Sequence, residues 1–145
     1  MPKTTRHTPA AARDEDPVQV ARALYAALES GRHGADLEPL FAPDATTTEH
    51  PNAISPRGRV VGLADILTGS TAGASLLARQ RYEVRDAFAV GDLAVLRLTW
   101  TAVIAADAGP FRAGQELTAH IAQFVRVRDG RIASIETYDC YEPLT

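Results

Sequence analysis

Residues 114–143, GQELTAHIAQFVRVRDGRIASIETYDCYEP, decide the fold that this sequence predicts. Apolar and polar residues alternate through the first half of the stretch, as in a strand with one buried face. Asp129-Gly130 then supplies the positive φ angles that a tight hairpin turn needs. The stretch therefore predicts two long antiparallel strands. Histidine and glutamate among the apolar residues favour a curved sheet whose concave face forms one wall of a pocket.

The rest of the chain predicts helices followed by further strands. Asp16-Pro17 begins a first helix, with Asp16 as the N-cap and Pro17 at the first helical position. The other predicted elements are a short helix that ends at Ala42-Pro43-Asp44, a strand over Thr46–His50, a loop over Pro51–Val61, a helical region over Leu63–Leu77 with a break at Gly69 or Gly73, and strands over Tyr82–Val90 and Leu93–Ile104. The order ααβαββββ, with helices packed in the concave face of a strongly curved antiparallel sheet, is an α+β fold.

Length and composition predict a single globular domain. The chain has 145 residues, of which 46% are hydrophobic and 23% are charged, as in ordinary globular proteins. Residues 1–15 are polar and lack hydrophobic periodicity, so they are predicted to form a disordered N-terminal tail. The domain is predicted to occupy residues 16–145.

Several classes of function are disfavoured by the composition. The net charge of -3, without a lysine and arginine cluster, argues against a nucleic-acid partner. No apolar run is long enough for a signal peptide or a membrane span. The histidines show no metal-ligand spacing, and Lys3 is the only lysine, which argues against a metal site and against Schiff-base chemistry. A single cysteine, Cys140, fits a cytoplasmic protein without an intrachain disulfide.

Four segments carry a resemblance to a known superfamily: LYAALESG, LEPLFAPDATTTEHP, GDLAVLRLTW and FVRVRDGRIASIETYD. In order and spacing they resemble the nuclear transport factor 2-like superfamily, especially its SnoaL-like and ketosteroid-isomerase-like branches. The resemblance spans about residues 17–143. It implies a cone-shaped, cystatin-like fold with an apolar pocket, and a homodimer formed through the outer face of the sheet. Because this fold serves many functions, the resemblance does not by itself identify one.

His50 is the first candidate catalytic residue. Isomerases of this fold carry an acidic residue just before the proline that ends the first strand, and here His50 precedes Pro51. Histidine gains or loses a proton near neutral pH, which suits a general base. The alternative is a loop histidine that bonds to nearby backbone.

His120 and Tyr25 are the other candidate catalytic residues. His120 lies close to Ala122, the position that matches an oxyanion donor of the isomerases, and Tyr25 is adjacent to the position of their helix-one tyrosine. Each has a structural alternative, since a strand histidine is often a core or interface residue and a helix tyrosine often serves packing. The residues expected to bind substrate are Leu96, Leu98, Trp100, Phe124, Glu116 and Tyr138. This set assumes that Thr118, His120, Ala122 and Phe124 face the pocket, and that Tyr138 rather than Asp139 points inward.

The predicted function is general acid/base catalysis, without a cofactor, on a small and largely apolar carbonyl compound. Isomerisation, aldol-type cyclisation and dehydration all fit this chemistry. A different class stays open, namely a non-catalytic module for ligand binding or dimerisation. The predicted homodimer would bury Val95, Arg97, Thr99 and Thr101 with Leu117, Ala119, Ile121 and Val125.

Deletion of residues 1–15 is expected to leave the melting temperature nearly unchanged, because a tail without core contacts adds little stability. Differential scanning calorimetry of the full chain and the truncated chain checks this. A fall of more than about 5 °C would correspond to roughly 1 kcal/mol or more for a domain of this size and would contradict the tail assignment.

Overall fold

A computed structural model describes residues 16–144 of the chain, and the predicted tail lies outside this range. The elements in chain order are helix α1 (Pro17–Glu29), a 3-10 helix (Gly34–Leu40), strands β1 (Phe41–Glu49) and β2 (Arg59–Gly62), helix α2 (Leu63–Leu76), and strands β3 (Leu77–Val90), β4 (Leu93–Ile104), β5 (Glu116–Arg128) and β6 (Arg131–Tyr141). The predicted α+β class is confirmed. No helix within residues 16–144 is both long and apolar enough to cross a membrane.

Helix α1 begins where the sequence predicts. The Asp16 side chain accepts a hydrogen bond of 3.0 Å from the backbone N–H of Val18, and Pro17 follows at the first helical position. The apolar face of the helix buries Ala21, Leu24 and Tyr25 against the sheet. This contact fixes the direction in which the Tyr25 side chain projects.

The six strands form one sheet in the order β2-β1-β6-β5-β4-β3. All neighbouring pairs are antiparallel except β1 and β6, which run parallel. The expectation of a wholly antiparallel sheet is therefore wrong at this one pair. Strands β1 and β6 can run parallel because no hairpin joins them: the chain between them includes α2 and the three long strands β3, β4 and β5.

Two boundaries around β1 differ from the predicted ones. Strand β1 starts at Phe41 and runs through Pro43, whereas the sequence predicted a helix that ended there. Proline is tolerated because the pairing of β1 with β6 shifts register between Phe41 and Thr46, where a missing backbone donor costs little. The short strand β2 pairs with the end of β1 inside a segment that was predicted as loop.

Helix α2 is continuous through Gly69 and Gly73, so the predicted break is absent. Glycine is unfavourable in a helix interior by about 1 kcal/mol relative to alanine. Packing against the 3-10 helix and β1 overrides this preference. The predicted strand β3 also starts earlier, at Leu77 rather than Tyr82.

Cross-strand register determines which side chains face the helices. Leu98 on β4 is opposite Ile121 on β5, and both are buried in the core, whereas Thr99 is opposite His120 on the outer face. The predicted face of β4 is therefore correct. The predicted face of β5 is reversed: Leu117, Ala119, Ile121 and Val125 point into the concave side, and Thr118, His120, Ala122 and Phe124 point outward.

Candidate functional site

A cavity of about 410 Å³ lies between the concave face of the sheet and the helices. Its wall is mostly apolar, with leucines from α1, the 3-10 helix, α2 and β5, among them Leu24, Leu37, Leu76 and Leu117. The volume is in the range of small-molecule binding pockets. The cavity is therefore the candidate functional site.

Aromatic side chains form a large part of the wall. Tyr25 of α1 stacks on Tyr82 of β3 with ring centroids 4.9 Å apart and planes 5° from parallel. Trp100 of β4 meets Tyr141 of β6 edge to face at 6.2 Å, and its Nε1 donates a hydrogen bond of 2.9 Å to Gln80 Oε1. These rings provide rigid apolar surface with polar groups at the edges.

A chain of hydrogen bonds crosses the wall from α1 to β6. The Tyr25 hydroxyl donates to Gln123 Oε1 at 2.6 Å, and Gln123 Nε2 donates to Thr137 Oγ1 at 3.1 Å. Thr137 Oγ1 in turn donates to Asp139 Oδ1 at 2.5 Å. Tyr25, Gln123 and Thr137 line the cavity, and Asp139 lies beside them on the inward side of β6.

Two carboxyl groups belong to this region. Burial raises the pKa of Asp139; the bond from Thr137 opposes that shift, and the charge of Glu49 adds to it. Glu49 lines the cavity at the end of β1 and accepts hydrogen bonds from Asn52 Nδ2 at 2.9 Å and Arg59 Nε at 3.1 Å. The two donors orient the Glu49 carboxylate, whereas Asp139 is a carboxyl group that retains its proton to higher pH than usual.

The tyrosines of the wall remain neutral donors. Burial raises the pKa of Tyr25, Tyr82 and Tyr141. For Tyr141, the charges of Asp139 and then Glu49 raise the pKa further, which places its hydroxyl within the field of both carboxyl groups. The site thus combines carboxyl groups and neutral hydroxyl donors around an apolar space.

His50, expected in the pocket, lies on the outer face of the sheet. Thr47 and Glu49 of β1 face the cavity, so the next residue along the chain points to the opposite side. There His50 Nε2 is 2.7 Å from Glu136 Oε2, and the imidazole stacks on Tyr138 with centroids 4.3 Å apart. The inward position at this end of β1 belongs to Glu49.

His120 also lies on the outer face and is exposed, with Nε2 2.8 Å from Glu142 Oε2. Phe124 packs edge to face against Tyr138 on that same side. Tyr138 is 42% exposed, because Thr137, Asp139 and Tyr141 of β6 point inward and Tyr138 points outward. These expected site residues do not reach the cavity.

The other sequence-predicted residues divide into three groups. Tyr25 and Trp100 line the cavity. Leu96 and Leu98 are buried on the same concave face, where they form the core rather than the cavity wall. Glu116 is exposed at the start of β5, where it lines a second, more polar pocket of about 670 Å³ and not the cavity.

Sequence reasoning missed most of the polar site residues: Glu49, Gln123, Thr137, Asp139 and Tyr141. The useful signal was the alternation of Leu117, Ala119 and Ile121, which marks the buried face of β5. Gln123 is the next residue on that same face. Because paired residues share a face, that assignment would have turned Thr137 inward, and with it Asp139 and Tyr141.

Comparison with known proteins gives one family match. The family model described as a SnoaL-like domain matches residues 21–135. No curated protein matches the sequence.

Solved structures share the fold. IdmH from Streptomyces antibioticus, provisionally assigned as a polyketide cyclase, has 25% identity and a TM-score of 0.68 over 85% of this chain and 91% of its own. AclR from Streptomyces galilaeus, provisionally assigned as a hydroxylase, has 18% identity and a TM-score of 0.67 over 89% of this chain and 79% of its own. An NTF2-like protein from Burkholderia thailandensis has 19% identity and a TM-score of 0.64, with coverage of 86% and 90%. The superfamily resemblance is confirmed.

The raised pKa of Asp139 predicts a defined dependence of stability on pH. A carboxyl group whose pKa is higher in the folded state stabilises the fold below its unfolded pKa, and this contribution disappears as pH rises through the folded pKa. Asp139→Asn, which still accepts the Thr137 hydrogen bond, lacks the titration. The stability of the wild type relative to this variant should therefore decrease from acidic to neutral pH.

Urea denaturation of both proteins between pH 4 and pH 7 measures this difference. Asp86→Asn is a suitable control, because Asp86 is exposed and pairs with Arg97 on the outer face. A wild-type advantage that grows with pH would contradict the assignment of Asp139 as a group that holds its proton.

Proposed function

We propose that this chain, which belongs to the SnoaL-like domain family, is a small-molecule enzyme that moves a proton next to a carbonyl group. One observation carries the proposal: the Glu49 carboxylate and the Tyr141 hydroxyl share the wall of a 410 Å³ apolar cavity. Proton abstraction from carbon needs a base and a hydrogen-bond donor for the developing oxyanion, both in a site that excludes water. The reaction class is the one predicted from the sequence. The proposed base is now Glu49 instead of His50, and the proposed donor is Tyr141 instead of His120 or Tyr25.

Glu49 is the proposed base. Glu49 lines the cavity, and its carboxylate is oriented by hydrogen bonds from Asn52 and from Arg59, which also lines the cavity. A base oriented before substrate binds avoids the entropic cost of finding the reactive geometry. Glu49 takes a proton from the carbon beside the carbonyl, and the electron pair of that C–H bond moves onto the carbonyl oxygen.

Tyr141 is the proposed oxyanion donor. Its hydroxyl remains protonated because burial and both nearby carboxyl groups raise its pKa. A neutral donor directed at the oxygen stabilises the enolate without introducing a full charge into the apolar cavity. Tyr25, Gln123 and Thr137 serve as positioning residues, since their hydrogen bonds extend to Asp139 and hold the wall in one arrangement.

The fate of the enolate defines the reaction. Return of the proton from Glu49 to a different carbon is an isomerisation. Attack of the enolate on a second carbonyl, whose oxygen then takes the proton from Glu49, is an aldol-type cyclisation. Loss of a hydroxyl group from the neighbouring carbon, which leaves as water with that proton, is a dehydration. The similarity to IdmH supports the cyclisation among these outcomes.

A non-catalytic ligand-binding role is the alternative in a different class. The same apolar cavity would bind a small molecule without changing it. The polar groups at the wall favour the enzyme, because a carboxylate and a hydroxyl beside one apolar cavity supply the base and the donor that proton transfer needs. The exposed free cysteine Cys140 accords with a cytoplasmic location for either role.

Glu49→Gln is expected to slow proton exchange by about 10²–10⁴-fold, the usual size of a general acid/base contribution. The measurement is deuterium incorporation from D₂O at the carbon beside the carbonyl of bound ketones, followed by NMR. His50→Gln is the matched control, because His50 is the next residue and points outward. Its exchange rate should equal that of the wild type.

Circular dichroism of both variants is the check that they remain folded. Unchanged exchange in Glu49→Gln would remove Glu49 as the base. If His50→Gln were the variant that lost exchange, the original assignment of the base to His50 would be restored.

We further propose that the protein forms a homodimer through the outer face of the sheet. Phe88, Val95 and Phe124 are paired in one row across β3, β4 and β5 on this face, and Phe88 is 55% exposed. Tyr138 extends this apolar row toward β1. A contiguous exposed apolar surface of this kind is typically covered by a partner. Of the predicted interface, Val95 and the outer face of β4 are kept, whereas Leu117, Ala119, Ile121 and Val125 of β5 face the concave side and are replaced by Phe124.

Phe124→Glu should convert the dimer to a monomer, because it places a charge in the centre of the apolar row. Sedimentation velocity at micromolar concentration measures the change. Ala35→Glu is the control, since Ala35 is an exposed apolar residue on the 3-10 helix, which packs on the concave side of the sheet, opposite the row. A wild-type protein that sediments as a monomer would contradict the proposal.

A further inference from the structure

Among the described residues that line the cavity, Arg59 carries the only positive charge. The other charged side chains of the wall are Glu49 and Asp65. Arg59 on β2 is directly opposite Glu49 on the antiparallel strand β1, so the two side chains project from the same face of the sheet. A guanidinium group therefore lies beside the proposed base.

The local backbone keeps Arg59 next to Glu49. Gly58, the residue before Arg59, has a φ of 65°, and a Cβ atom there would be 2.5 Å from the Glu49 carbonyl oxygen. Glycine at this position lets the chain return directly onto the end of β1. Within the same loop, the Asn52 side chain accepts hydrogen bonds of 2.9 Å from two backbone N–H groups and donates to Glu49 Oε2. Both oxygens of the base thus have a fixed donor.

Arg59 uses only part of its hydrogen-bonding capacity in this pair. Toward the described residues it donates one hydrogen bond, from Nε to Glu49 Oε1 at 3.1 Å. A guanidinium has five N–H groups, so the four on Nη1 and Nη2 make no hydrogen bond to that part of the chain. The Arg59 side chain is 59% exposed, whereas that of Glu49 is 16% exposed. The terminal Nη groups therefore remain for a ligand at the open side of the cavity.

Proton transfer would change the partner of the Arg59 charge. Before the transfer, the Glu49 carboxylate compensates the guanidinium. When Glu49 takes the proton of the C–H bond it becomes neutral, and the electron pair of that bond moves onto the carbonyl oxygen. The negative charge then resides on the enolate, and Arg59 lies beside an uncharged acid. A charge without a partner next to an apolar cavity is unfavourable, so the enolate oxygen becomes the favoured partner.

We propose that Arg59 is a catalytic residue that binds the enolate oxygen through its Nη groups, together with the Tyr141 hydroxyl. The same guanidinium pairs with the Glu49 carboxylate before proton transfer and with the enolate after it. Hydrogen bonds that carry charge on both partners are roughly twice as strong as neutral ones, so this contact adds to what a neutral hydroxyl supplies. The inference rests on the proposed function, because it takes Glu49 as the base.

An oxyanion that binds without reacting tests Arg59 directly. Glu49→Gln represents the protonated base, and para-nitrophenol represents the enolate, because its visible absorbance reports how much of the bound phenol is ionised. Glu49→Gln should bind the nitrophenolate anion in preference to the neutral phenol. Addition of Arg59→Gln should lower the affinity for the anion by about tenfold or more, the usual effect of removing an opposite charge a few ångströms away.

Two further substitutions in the Glu49→Gln protein separate charge from shape. Arg59→Lys keeps the positive charge and should bind the anion more tightly than Arg59→Gln does. Arg57→Gln is the matched control, because Arg57 belongs to the same loop but is exposed and outside the cavity wall. Neutral cyclohexanone should bind equally to all these variants, since it carries no charge. Quenching of Trp100, the single tryptophan and a wall residue, measures that binding.

With Glu49 intact, Arg59→Gln should slow deuterium exchange by about 10–10²-fold. Loss of a buried oxyanion donor usually costs about 10²–10³-fold, and solvent screens a partly exposed guanidinium, so the expected effect is smaller. The loss should appear in kcat and not in the affinity for the ketone, because the contact forms only as charge develops. Arg57→Gln should exchange at the wild-type rate.

Three results would overturn the role of Arg59. One is equal anion affinity in Glu49→Gln with and without Arg59→Gln. Another is failure of Glu49→Gln to bind the nitrophenolate at all. The third is an equal loss of cyclohexanone and anion binding in Arg59→Gln, which would show that Arg59 maintains the shape of the cavity and does not act through its charge.

The readouts distinguish this inference from the proposed function. If anion binding depends on Arg59 but Glu49→Gln retains full deuterium exchange, Arg59 stands as an oxyanion-binding residue and the base assignment fails. If exchange depends on Glu49 but neither exchange nor anion binding depends on Arg59, the proposed function stands and the inference about Arg59 fails.

Discussion

The register between β5 and its neighbours is the constraint on which the rest of the structure depends. Each residue of β5 is fixed opposite one residue of β4 and one of β6, and side chains along a strand alternate between two faces. Once Ile121 packs into the core, Gln123 must face the cavity and His120 must face outward. A slip of one residue would exchange the two sets entirely. The apolar residues Leu117, Ala119 and Val125 exclude that slip, because it would expose them to water.

The same register allows polar side chains in an apolar wall to hydrogen-bond to one another. Gln123 is opposite Thr137, and the Tyr25 hydroxyl reaches Gln123 from α1, so each polar group finds a partner. A polar group buried without a hydrogen-bond partner would destabilise the fold by about 1–3 kcal/mol. The network ends at Asp139, where burial raises the pKa and favours the protonated form. The cavity thereby gains hydroxyl and carboxyl groups without an isolated buried charge.

The two faces of the sheet carry different chemistry. The concave face carries tyrosines, amides and carboxyl groups around a space for a ligand. The outer face carries both strand-associated histidines, each paired with a glutamate, beside an aromatic row. Neither histidine lines the cavity, because the position of a side chain relative to the sheet decides which face it reaches. At the end of β1 it is the Glu49 carboxylate, one residue before His50, that lies on the cavity side.

The sequence by itself determined the elements that depend on local chemistry. Asp16-Pro17 begins α1, Asp129-Gly130 forms the last hairpin, and the alternation of Leu96, Leu98 and Trp100 marks the inward face of β4. The alternation of Leu117, Ala119 and Ile121 also marks the buried face of β5, although the histidine at position 120 led to the opposite prediction. Local patterns did not determine the face of β6, because both parities of that strand contain an aromatic residue. Only the tertiary structure decided it, since the register with β5 turns Thr137, Asp139 and Tyr141 inward. The parallel contact of β1 with β6 and the continuity of α2 through two glycines likewise depend on contacts between residues far apart in the chain.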